Sequence, residues 1–217
     1  MRKAVFAVAA LSLASPALAQ PTPASAVACH FVIRAYLGQG VAEAAGYFAD
    51  IAGIPSDLLF NGPPSEKTAF LTFRSDLVTL TPLSANGVIN LYNVSAGKFD
   101  FYFNQNPSGD WGDPDSFSGG QPFQSAQPVA QFMRPESLFY QTDTLARHDL
   151  TFYLESSRSF VLNGHSYDWG DIVPGGVTLY ETYSNTPPPN SGITGFPVVF
   201  AGAGNCAAVG AAGENQQ

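Results

Sequence analysis

Ser95-Ala96-Gly97-Lys98-Phe99-Asp100-Phe101-Tyr102-Phe103-Asn104 reads as a turn followed by a strand. On an extended chain Phe99, Phe101 and Phe103 fall on one side, and Asp100 and Tyr102 on the other. This period-two pattern marks a half-buried β-strand and sets the reading of the residues around it. Upstream, Asn86-Gly87 is a turn signal leading into a strand over 88–94. Before it, Lys67 to Ser75 (KTAFLTFRS) places Ala69, Leu71 and Phe73 on one face, and Leu77–Leu80 continues that strand past Asp76. Downstream, strands are expected at 129–133, 138–141, 149–154 and 158–162. Asn163-Gly164 then closes a hairpin onto 165–169. A strand over 177–183 ends before Pro187-Pro188-Pro189, which cannot join a ladder, and 196–201 is the last.

Residues 30–52 are ambiguous. Val41-Ala42-Glu43-Ala44-Ala45 suits a helix, but Gly38, Gly40, Gly46 and Gly53 interrupt it. Strands at both ends, Phe31–Tyr36 and Tyr47–Ile51, are the expectation. About ten short strands between turn residues predict an all-β fold, a single antiparallel β-barrel or β-sandwich whose N-terminal segment is the least determined part. No fixed-period repeat or domain linker is evident. The domain should span 29–206, after a disordered Pro-rich lead (20–28) and before a flexible tail (207–217).

The first nineteen residues have the form of a signal peptide. Met1-Arg2-Lys3 is basic, Ala4 to Ala14 is apolar, and Ala17-Leu18-Ala19 is an Ala-x-Ala cleavage pattern. The run is too short to cross a bilayer, so the chain should be secreted or periplasmic after cleavage behind Ala19, without membrane insertion. Ala26-Val27-Ala28-Cys29 only loosely resembles a lipobox, because the apolar core ends well upstream with Pro21 and Pro23 between. Outside the cytoplasm Cys29 and Cys206, the two cysteines of the chain, should form a disulfide; no C-x-x-C motif suggests redox work. Ends tied together also favour a barrel, which removes sheet edges.

Without residues 1–19 the chain carries seven basic against seventeen acidic residues, a net charge of −10. That argues against nucleic acid and anionic membrane surfaces as partners.

Five features bear on chemistry. Residues 106–128 form a long loop containing Asp110, Asp113 and Asp115, three carboxylates that could offer oxygens to calcium, although the EF-hand spacing is absent. The plain alternative is an acidic turn with Asp as capping residue. Trp111 in that loop, and Trp169 beside Asp168, have the composition of a sugar-gripping platform, which Tyr102, Tyr140 and Tyr167 would widen; the plain alternative buries both indoles in the core. His30, His148 and His165 lack metal-binding spacing, and His148 between Arg147 and Asp149 suggests a turn. Gly164-His165-Ser166-Tyr167-Asp168 lacks the last Gly of a hydrolase elbow. Asn93-Val94-Ser95 is a glycosylation triplet, meaningful only in a eukaryotic secretory route.

Read together, these features predict a non-catalytic exported β-domain that binds a small molecule or glycan at one end, with no resident cofactor unless calcium. The alternatives are a hydrolase or isomerase with an acidic/His site in a barrel cavity, and a surface or structural interaction protein.

Overall fold

A computed structural model of the protein describes residues 21–119, 128–184 and 192–210. Residues 1–19, expected to be a signal peptide, Pro187–Pro189 and most of the expected C-terminal tail lie outside the described residues.

The ambiguous N-terminal segment forms two long antiparallel strands, β1 (Val27–Leu37) and β2 (Val41–Ile51). Its glycines are compatible with strand. At Gly46 an added Cβ would collide with the Val32 carbonyl and the Phe73 ring, so the missing side chain allows the close approach. After a short helical turn at Ser56–Leu58, β3 (Leu71–Ser75), β4 (Val78–Asn86), β5 (Ile89–Val94) and β6 (Gly97–Phe103) follow. Beyond another short turn at Pro114–Ser118 come β7 (Ala130–Arg134), β8 (Ser137–Gln141), β9 (Leu145–Ser157), β10 (Phe160–Leu162) and β11 (His165–Tyr167). The one-turn helix α1 (Trp169–Ile172), β12 (Val177–Ser184) and β13 (Val198–Ala208) complete the chain.

The sheet closes on itself, which decides barrel over sandwich. Around the wall the order is β1, β2, β3, β6, β7, β9, β12, β13 and back to β1, every pairing antiparallel. Breaks at Asp76-Leu77, Ser95-Ala96 and Pro135-Glu136 separate β3, β6 and β7 from β4, β5 and β8, which extend the same wall toward one end. The long strands β2 and β9 therefore pair with β3 and β7 over part of their length, and with β4 and β8 over the rest. The break at Asp76-Leu77 divides into β3 and β4 what was expected as one strand.

Cys29 and Cys206 are register partners on β1 and β13, bonded as a disulfide across the seam where the first and last strands meet. Both are fully buried. The hairpin expected at Asn163-Gly164 joins β10 to β11, and both residues take positive φ (49° and 80°), as a two-residue primed turn requires. Two boundaries differ from expectation. Residues 21–28 are tied down, with the Thr22 N–H donating to the Ile172 carbonyl and the Ser25 N–H to that of Ala208. Ala207 and Ala208, expected in the tail, belong to β13.

The interior is aromatic. Phe31, Phe48, Phe73, Phe99, Phe101, Phe132 and Phe152 form a network of edge, tilted and stacked ring contacts, with centroids 4.5 to 6.4 Å apart. α1 closes one end of the barrel. Its N-cap is Asp168, which accepts from the Gly170 N–H, and it inserts Trp169 against Phe48 and Phe101. Outside the wall Tyr36, Ala45, Phe117 and Val199 form a second, smaller core under the loop that carries Trp111.

Candidate functional site

Strand alternation sends every second residue inward, and near the end opposite α1 four such positions carry ionisable side chains. On β7 the inward series Ala130, Phe132 ends in Arg134; on β9 Ala146, Leu150 and Phe152 share their face with His148; on β12 Val177 and Leu179 are followed by Glu181 and Tyr183. All four are buried, at 2 to 8% exposure. They border a cavity with Ser75, otherwise lined mainly by aliphatic and Phe side chains that include Leu37, Val94, Phe99 and Phe139. About 40 Å³ of it is open to the centre of a water molecule. One water needs roughly 10–15 Å³ by that measure, so the space suits a few heavy atoms.

The cluster is partly bonded. Tyr183 Oη donates to Glu181 Oε2 at 2.5 Å, and Ser137 Oγ lies 2.9 Å from His148 Nε2. His148 Nδ1 and Glu181 Oε2 are 3.7 Å apart, close but beyond a hydrogen bond. Arg134 Nη2 donates to the Ser95 carbonyl at 2.7 Å, while its buried Nε has no acceptor.

Burial dominates the titration here. It holds the Glu181 carboxyl up at about 7, against the lowering influence of the Tyr183 hydrogen bond and Arg134. It presses His148 down to about 3, with Arg134 repulsion adding to the effect. Burial and the neighbouring Glu181 raise the Tyr183 phenol well above its ordinary value. Arg134 is lowered by burial, with Glu181 and Asp76 opposing. It keeps its charge, since guanidinium is not deprotonated in proteins. At neutral pH the site thus holds a neutral imidazole, a carboxyl near its midpoint and one fixed cation.

The residues picked from sequence lie elsewhere, in two separate places. Trp169 is wholly buried in the plug, and its Nε1 has no partner. Asp168 accepts from Ser157 Oγ, Ser159 Oγ and the Gly170 N–H. Trp111 sits outside the wall against Tyr47 and Phe117, under the Arg34 guanidinium at 4.7 Å, and its carbonyl accepts from Tyr36 Oη. The two indoles form no common platform. The acidic loop is a set of turn bonds. Asp110 Oδ1 accepts from the Gly112 N–H, Asp113 Oδ1 from the Asp115 N–H, and Asp115 pairs with Arg74, which also holds Glu43. Among the described residues no group of three or more acidic, His or Cys side chains is placed to hold a metal ion.

His148, read as a turn marker, is a core position midway along β9. The legible signal was a charged or polar residue on the apolar side of an alternating strand, present in β7, β9 and β12 alike.

Comparison with protein-family models, with curated proteins and with solved structures finds no match. The functional reading rests on the geometry alone. Among the described residues no helix is long and apolar enough to cross a membrane.

Proposed function

We propose that this chain is an exported, non-catalytic barrel protein that binds a small molecule inside its cavity, between the Arg134, His148, Glu181 and Tyr183 cluster and the apolar wall. One observation carries the reading. Four ionisable side chains converge on internal space in an otherwise largely apolar core. Burying such groups costs several kcal/mol per charge unless they are compensated, so a purely structural barrel gains little from them. A few convergent polar groups in an apolar pocket are the usual make-up of a small-molecule site. The cavity's narrowness and the separation of Trp111 from Trp169 favour a compact ligand over a glycan.

The test is a thermal-shift and NMR screen of small polar and amphiphilic molecules against the full chain and against Ala44→Leu, which fills the cavity. Ligands that shift the parent and not the filled variant support the reading. A screen in which every hit acts equally on both excludes the interior as the site.

A second reading is favoured by the same cluster. A carboxyl near 7 beside a phenol and a neutral imidazole suits a general acid or base, since such groups work best near the ambient pH. An isomerase or hydrolase activity that Glu181→Gln abolishes in a correctly folded protein would establish it. Export rests on the Ala17-Leu18-Ala19 pattern and on the disulfide, and N-terminal sequencing of secreted material starting at Gln20 would establish it.

A further inference from the structure

The groups facing the cavity can be summed by charge. β7 contributes Arg134; β9 contributes His148, with Asp149 on its outer side; β12 contributes Glu181 and Tyr183; β3 contributes Ser75, with Asp76 following it. From β1 the lining is Ala35 and Leu37, and from β4, β5 and β8 it is Val78, Leu80, Val94 and Phe139. Glu43 also borders the space, but its carboxylate is engaged by Arg74 at 3.0 Å. Glu181 is hydrogen-bonded by Tyr183, and among the described residues His148, held neutral by burial, is the one basic side chain within ion-pair distance of it. No carboxylate of the described residues lies within ion-pair distance of Arg134. Among the described residues the lining therefore contains one fixed charge without an ion-pair partner, the positive Arg134, more than nine-tenths buried and incompletely hydrogen-bonded.

Resting on the small-molecule reading above, we propose that the ligand is a small organic monoanion, a carboxylate with a short apolar substituent, held by Arg134. A planar two-oxygen anion matches the guanidinium fork, and the Phe99, Phe139 and Leu80 side accommodates the substituent. Ser75 and Tyr183 stand at the same cavity as further polar groups. Glu181 sets the pH dependence. Ionised, it competes with the ligand for the field of Arg134; protonated, it leaves the site with a net positive charge. Its midpoint near 7 makes the competent fraction about tenfold larger at pH 6 than at pH 8, while a free carboxylate stays ionised at both. His148 remains neutral over this interval.

The experiment titrates the oxidised full chain with propionate and with propionamide at pH 6 and pH 8, read by NMR shifts of the His148 and Phe139 rings. The expected result is propionate binding about tenfold tighter at pH 6 than at pH 8, with propionamide at least tenfold weaker at pH 6. Arg134→Lys should weaken propionate and Arg134→Met should abolish it; the pH series on the unaltered chain needs no variant to fold. Equal binding of acid and amide, or indifference to pH, overturns the anion assignment while leaving the cavity reading intact. If neither probe moves those rings, and no neutral molecule does so in the screen above, both fail together.

Discussion

Replacing Glu181 with Gln should turn a nearly flat pH profile of stability into a sloping one, because two buried groups now cancel. Glu181 ionises near 4.5 in the unfolded chain and near 7 in the fold. Between those values the folded state holds the extra proton, so stability falls as pH rises, by about 1.4 kcal/mol per unit. His148 protonates near 6.5 when unfolded and near 3 when folded. Between those values the unfolded chain holds the extra proton, so stability is lost as pH falls, at about the same rate. From pH 5 to 6.5 both slopes act with opposite sign, and the parent protein should be nearly flat. Glu181→Gln keeps an acceptor for Tyr183 but removes the ionisation, leaving the His148 slope. Its stability should rise by about 2 kcal/mol from pH 5 to 6.5. His148→Gln should do the reverse, falling by about 2 kcal/mol over the same interval. Urea unfolding at four pH values for the three proteins measures this, provided m is constant across the series. If both variants slope the same way, or both stay flat, the two groups are not buried in the protonation states described.

Trp169→Ala removes a fully buried indole from the plug and should cost about 3–5 kcal/mol; in the parent, iodide should quench Trp111 emission and leave Trp169 untouched. Gly46→Ala should destabilise by about 1–3 kcal/mol in thermal or urea melts, since its Cβ has only the Val32 carbonyl and the Phe73 ring to move against. The Cys29–Cys206 bridge closes a separation of 177 residues, so replacing both by Ser should lower stability by up to about 5 kcal/mol. In the native protein neither sulfur should react with a thiol label until reductant and denaturant are added together. A chelator should leave the melting temperature unchanged, because the carboxylates of Asp110, Asp113 and Asp115 are already engaged by Gly112, Asp115 and Arg74; a rise of several degrees on adding calcium would contradict this.

Much of the fold was legible because alternation is a local property. The Phe99-x-Phe101-x-Phe103 face, the two-residue turn at Asn163-Gly164 and the pairing of Cys29 with Cys206 each need only neighbouring residues or a count of the thiols to be read. The N-terminal strands were less so. Alanine and glycine in β2 say little about helix or strand by themselves, and the pairing partners that decide the matter lie on β1, β3 and β4. The site residues were harder still. Composition drew attention to the indoles and the acidic loop, yet Trp169 fills the plug and the loop carboxylates bond their own turn. Arg134, His148, Glu181 and Tyr183 come from three strands separated by as many as forty-nine residues along the chain, and nothing local marks them as neighbours.

The amino-acid sequence by itself determined most of the strands after residue 66, the apolar faces at Ala69–Phe73 and Phe99–Phe103, and the pairing of the two cysteines, since side-chain period and thiol chemistry act over short range or need no geometry. Only closure of the sheet decided that it is a barrel, that its α1 end is sealed by Trp169, and that four polar side chains share one small cavity. Those depend on which strands become neighbours around a ring, and that is set by packing of the whole interior, not by any one segment.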